Sequence, residues 1–148
     1  MSRGAVEKRN LAQTPQSSDR LDKKFRIWNG VFLDIVDIHA RASRRNLYGP
    51  ILFLLDTQVL GTSVKSVWIT KKNPTGWVAG EKKSERFYSS IEEFRSSYNV
   101  GDFGAMIMLR STRGALPLNG VLRRLVIDQP DTQFDVKGKV IDAKDYAI

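Results

Sequence analysis

Two groups of residues in this chain have types and spacings that could do chemistry. The first is Asp34-x-x-Asp37-x-His39, where two carboxylates and the single histidine could hold Mg²⁺ or Mn²⁺. On a helix Asp34 and Asp37 share a face and His39 leans to the apolar side. On a strand Asp37 and His39 share a face and Asp34 lies opposite. Neither geometry collects all three, and an Asp37–Arg41 ion pair one helical turn apart accounts for Asp37 more simply. Any histidine-based acid–base scheme has to run through His39. The second group is Asp56, at the end of the apolar run Ile51 to Leu55, with Glu81-x-Lys83 after the short extended stretch Trp77 to Ala79. Two carboxylates there could hold a divalent metal, and the lysine could stabilise an attacking hydroxide or a scissile phosphate. The chain has no cysteine, so disulfides, thiolate metal sites and cysteine nucleophiles are excluded together. It also has no G-x-x-x-x-G-K and no G-x-G-x-x-G phosphate loop.

An acid followed some tens of residues later by a strand carrying E-x-K resembles the layout of restriction-type metal-dependent nucleases. That resemblance implies metal-dependent phosphodiester cleavage by Asp56, Glu81 and Lys83. The sequence departs from the pattern in two places. Leu55, not proline, precedes Asp56, and Gly80 interrupts the strand beside Glu81.

Charge points elsewhere. The 148 residues carry 24 Lys and Arg against 16 Asp and Glu, a formal net charge of +8. Residues 1–24 contribute Arg3, Lys8, Arg9, Arg20, Lys23 and Lys24. Lys71 and Lys72 occupy a turn, Lys82 and Lys83 a charged loop or edge, and Arg123 and Arg124 a stretch without acids. From Asp128 the sign reverses, with five Asp against three Lys. Such a field attracts polyanions, either nucleic acid or an anionic membrane surface. Trp68 and Trp77 bracket Lys71 and Lys72, and Phe87 and Tyr88 follow Arg86. This is the interleaving that base stacking requires, although tryptophan is usually well buried.

The elements that must position these residues come from pattern. Residues 1–24 have few large apolar side chains, which predicts a disordered basic arm ahead of one globular domain over residues 25–148. Phe25 to Trp28 reads as a short strand. From Val31 to Arg45, charge spacing favours a helix while the β-branched and aromatic residues favour a strand; the helix is the expectation. Ile51 to Leu55 and Val64 to Ile69, separated by Gly61-Thr62-Ser63, predict a central hairpin. Ser90-Ile91-Glu92-Glu93 is a capping box opening a helix to Tyr98. Phe103 to Arg110 and Val121 to Asp128, separated by Asn119-Gly120, predict a strand pair, and Gln133 to Ile141 predicts an amphipathic terminal strand.

The expected fold is therefore α+β and β-rich: an antiparallel sheet or small sandwich with one or two helices. No signal peptide or membrane-spanning segment is expected, which places the protein in a cytoplasm or nucleus. A basic arm on a small β-rich domain resembles the layout of small viral coat, matrix or nucleoprotein-associated proteins. That layout implies a non-enzymatic, self-associating structural or assembly protein without cofactor or metal. Its nucleic-acid contacts are expected at Arg3, Lys8, Arg9, Lys23, Lys24, Lys71, Lys72, Arg123 and Arg124. The acidic C-terminal segment would meet the basic face of a neighbouring copy. A metal-dependent nuclease and a peripheral protein on anionic membranes are the rival readings.

Overall fold

The structure, a computed structural model, describes residues 1–13, 15, 18–36, 51–62, 66–99, 102, 104–110, 112–127, 133–136 and 139–142. Its elements in chain order are α1 (Arg3–Lys8), α2 (Asp19–Lys24), β1 (Val31–Asp34), β2 (Ile51–Leu55), α3 (Val59–Thr62), β3 (Val67–Ile69), a 3₁₀ turn at Pro74–Gly76, α4 (Lys83–Arg86), α5 (Ile91–Ser97), β4 (Met106–Leu109), β5 (Leu122–Ile127), β6 (Gln133–Val136) and β7 (Lys139–Asp142). Among the described residues all strand pairs are antiparallel, and the fold is α+β and β-rich. Among the described residues no helix is long and apolar enough to cross a membrane.

The chain divides into two compact units. The first comprises Met1–Val36 with Leu60–Leu116, the second Asp37–Val59 with Pro117–Ile148.

The first unit is built on the sheet β1-β4-β3, with β4 in the middle. Side chains alternate across a strand, so β4 supplies both faces. Met108 lies opposite Phe32 on one side and Trp68 on the other. On that face Met108 is buried with Ile27, Trp77 and Phe87, and Phe25, Phe32 and Trp68 pack against them. On the opposite face Val31 and Leu109 are buried against Leu33, Leu60, Ile107 and Leu116. A strand with both faces covered needs an unbroken apolar run, and Met106-Ile107-Met108-Leu109 is one. β1 settles the ambiguity after Val31. Four residues there are strand, not helix. Burying a residue such as Val31 or Phe32 contributes about 1.5–3 kcal/mol. The surface ion pair that favoured a helix contributes only about 0.3–0.5 kcal/mol. Asp37 to Asn46 lies outside the described residues.

The basic arm is not disordered where it is described. Ser2 caps α1 by accepting from the Ala5 amide at 3.2 Å. The Ser2 amide donates to the Gly114 carbonyl at 2.6 Å, and the Gly4 amide to the Trp28 carbonyl at 2.9 Å. Ser2 and Ala5 are buried. α1 and α2 are joined by ion pairs, Arg3 with Asp19 at 2.7 Å and Lys23 with Glu7 at 3.2 Å. Few large apolar side chains are available here to order the segment. Small residues in close approach and hydrogen bonds hold it instead.

The expected central hairpin is also corrected. β2 pairs with β5 in the second unit, β3 pairs with β4 in the first, and α3 lies between them in sequence. It follows that β4 and β5 are not partners either. The register of β2 with β5 shifts between Leu54 and Leu55, where β5 carries one extra residue. The amphipathic terminal segment is two strands, β6 and β7, pairing with each other from Gln133↔Asp142 to Val136↔Lys139. Phe25 to Trp28 is turn, not strand.

Candidate polyanion-binding surface

Most carboxylates near the expected cation sites are occupied by those cations. The Lys71 Nζ meets Glu93 Oε1 at 2.5 Å, and Lys72 is paired with Glu81. Glu93 also accepts from the Ser89 amide at 2.7 Å and the Ser89 hydroxyl at 2.6 Å. Lys71 first, then these Ser89 bonds, lower the Glu93 pKa to about 2. Glu81 is held below the ordinary carboxylate range chiefly by its hydrogen bond with Lys72. Arg123 is paired with Asp56 in the second unit. The Asp56 carboxyl is lowered first by the Gln58 amide, which donates to Oδ1 at 2.7 Å, and then by Arg123.

In the N-terminal helices, Arg3 is committed to Asp19 and Lys23 to Glu7. Lys8, Arg9 and Lys24 are exposed, and Arg9 Nη1 lies 3.0 Å from Met1 Sδ. Arg124 is exposed on β5 opposite Leu54. The residues expected to form one nucleic-acid surface thus fall into both units, and many are neutralised by neighbours.

A different set converges in the first unit. Trp68 sits on β3 with its ring perpendicular to that of Phe87, centroids 4.9 Å apart. β4 continues beyond Leu109, where the Arg110 amide donates to the Ser66 carbonyl at 3.1 Å. Arg110 follows Met108 by two residues and so lies on the face that Trp68 occupies. Its guanidinium carbon is 4.7 Å from the Trp68 ring centroid. From the other direction comes α4. The chain at Arg86 to Tyr88 runs along β3: the Lys71 amide donates to the Arg86 carbonyl at 2.9 Å, and the Tyr88 amide to the Ile69 carbonyl at 3.0 Å. This holds α4 beside β3 and places the Lys83 Nζ 3.8 Å from the Trp68 centroid. Lys82, Lys83 and Arg110 are exposed, and among the described residues none has a carboxylate partner. Arg86 is less available. It lies over Phe25 at 3.9 Å and Trp77 at 5.1 Å, and burial lowers its pKa.

The bracketing of Lys71 and Lys72 by Trp68 and Trp77 is not what forms this surface. Trp77 is a core residue at 2 % exposure, and both lysines are paired with acids. Arg110 carries no sequence signal beyond its charge. Its link to Trp68 depends on the β3–β4 register, which no local pattern reveals.

The E-x-K part of the nuclease pattern does not lie on a strand. Glu81 stands in a loop and Lys83 opens a helix, so neither is on a strand, and Trp77 to Ala79 is not strand either. Asp56 belongs to the second unit, Glu81 and Lys83 to the first. Among the described residues no group of three His, Asp or Glu could hold a metal ion. Asp34 ends β1 opposite Met106, while Asp37 and His39 lie outside the described residues.

No protein-family model, curated protein or solved structure matches this chain.

Proposed function

We propose that this protein is a non-enzymatic polyanion-binding protein of the structural or assembly kind, which engages nucleic acid mainly through phosphate contacts. The observation that carries this reading is the pair of exposed cations on Trp68, Lys83 and Arg110, which have no carboxylate partner among the described residues, with exposed Lys82 next to Lys83 in sequence. Several other cations of the same protein are matched to acids, as in Arg3–Asp19, Lys23–Glu7, Lys71–Glu93 and Lys72–Glu81. An aromatic ring that carries two cations without such a match, in a chain of net charge +8, is suited to an external anion. Exposed Lys8, Arg9 and Lys24 widen the positive field. Phosphate contacts of this kind give affinity that is largely independent of sequence and strongly dependent on salt.

The test is binding of the full chain to a labelled single-stranded RNA, a labelled duplex DNA and phosphatidylserine vesicles over about 50–300 mM salt, with Mg²⁺ and with chelator. The expected result is binding that weakens steeply with salt and leaves the nucleic acid intact. Absence of binding to both at low salt overturns the reading. Cleavage confined to Mg²⁺ replaces it with the nuclease. Binding only to phosphatidylserine vesicles replaces it with the membrane-surface protein.

A further inference from the structure

The three tryptophans are placed differently. Trp77 is in the core, at 2 % exposure. Trp28 carries Lys23 at 4.4 Å and Arg3 at 5.5 Å from its ring, but both cations are paired, with Glu7 and Asp19, and Glu7 also accepts from the Trp28 indole at 2.7 Å. That cluster is electrically balanced, two cations against two carboxylates. Trp68 is half-buried, with the Phe87 ring packed perpendicular to it and Lys83 and Arg110 on its ring. Two cations lie over one aromatic ring there, and no acid among the described residues pairs with them.

From this we infer that Trp68 is a base-stacking platform and that the ligand is single-stranded, not duplex, nucleic acid. The inference rests on the polyanion-binding reading above and narrows it. A base needs the π face of a rigidly held ring, and a phosphate one nucleotide away needs a cation within side-chain reach of that ring. Trp68 supplies the first, because the Phe87 ring and its place on β3 opposite Met108 hold it. Lys83 and Arg110 supply the second. The Lys83 ammonium ends a flexible four-carbon stem, so it can leave the ring for a phosphate as a base takes its place. The Arg110 guanidinium is planar and can stack on the base as well as pair with phosphate. In a duplex the base faces are covered by their neighbours, and only the phosphates, sugars and base edges remain accessible. A duplex could therefore use the two cations but not the ring.

The experiment compares Trp68→Phe, Trp68→Ala, Trp28→Phe and the double variant Lys83→Ala/Arg110→Ala with the unaltered full chain. The probes are a labelled 15-nucleotide oligouridylate and a duplex of equal length at one salt concentration, with far-UV circular dichroism and thermal melts confirming the fold. The expected result is tighter binding of the single strand, with tryptophan fluorescence quenched on binding. Trp68→Ala then loses about tenfold or more for the single strand and little for the duplex. Trp68→Phe abolishes most of the quenching while keeping the fold, and Trp28→Phe keeps the quenching. Equal binding of both probes, or quenching and affinity unaffected in a folded Trp68→Phe, overturns stacking. Weakened binding in the Lys83→Ala/Arg110→Ala variant would in that case leave the broader reading standing. Failure of the unaltered chain to bind either probe overturns both.

Discussion

Thr70 and Met106 exchange two hydrogen bonds. The Thr70 amide donates to the Met106 carbonyl at 2.9 Å, and the Met106 amide donates to the Thr70 hydroxyl at 2.8 Å. Thr70 is completely buried. It also bridges to Phe87, so one residue ties β4, the end of β3 and the segment leading out of α4. The position of Lys83 against Trp68 depends on this junction.

Thr70→Val keeps the shape and removes the acceptor. The Met106 amide is then left without a partner at a part-buried site, which costs about 1–3 kcal/mol. Thr70→Ser retains the acceptor and loses one methyl, so it should cost less. Urea denaturation of the two variants beside the unaltered chain checks this, with equal losses counting against the hydroxyl's role.

Glu93 sets a pH dependence. Its folded pKa is lowered from 4.5 to about 2, first by Lys71 and then by the two Ser89 donors. A depressed folded value means the unfolded state binds the proton more readily. The stabilisation is fully present above about pH 5 and is lost as pH falls from there towards 2. Glu93→Gln removes the charge at every pH. Thermal melts should therefore show a gap between this variant and the unaltered chain at pH 7 that narrows below about pH 4.5. A gap independent of pH would show that Lys71 does not hold the carboxylate.

Two glycines with positive φ separate strain from crowding. Gly120 has φ +75°, and a methyl added there would meet nothing within 4 Å, so Gly120→Ala should cost only the left-handed conformation, about 1 kcal/mol. Gly114 has φ +79°, and an added Cβ would lie 2.5 Å from the Ser2 hydroxyl and 2.8 Å from the Ala5 methyl. Gly114→Ala should cost about 2–5 kcal/mol, from strain and overpacking together. Increased protease cleavage near residue 10 would mark release of the N-terminal helices. Equal costs for the two variants would mean that α1 does not depend on Gly114.

What is legible in the sequence is what a few adjacent residues decide. The Ser90 cap announces the helix ending near Tyr98, and Ser90 does accept from the Glu93 amide at 3.1 Å. The second half of that motif differs, because the Glu93 carboxylate turns to Ser89 and Lys71. Strand partners are not legible. Ile51–Leu55, Val67–Ile69, Met106–Leu109 and Leu122–Ile127 are all apolar enough to pair with one another, and nearness in sequence favours combinations the fold does not use. The binding surface divides in the same way. Trp68 and Lys83 stand out by type, but joining them to Arg110 requires the register of β3 with β4.

The distinction between paired and unpaired cations predicts unequal salt effects. Lys71 and Lys72 are each matched by a glutamate, so an approaching phosphate meets little net field there. Lys82, Lys83 and Arg110 have no such match among the described residues. Each phosphate contact to a single strand contributes about 0.7 to the slope of log affinity against log salt. The triple variant Lys82→Ala/Lys83→Ala/Arg110→Ala should flatten that slope by about 2. Lys71→Ala/Lys72→Ala should change it far less, although it leaves Glu81 and Glu93 unpaired and lowers the melting temperature. If instead the paired lysines carry the larger share of the slope, then their ion pairs open on binding, and the contact surface is centred on the turn at residues 71–76 and not on Trp68.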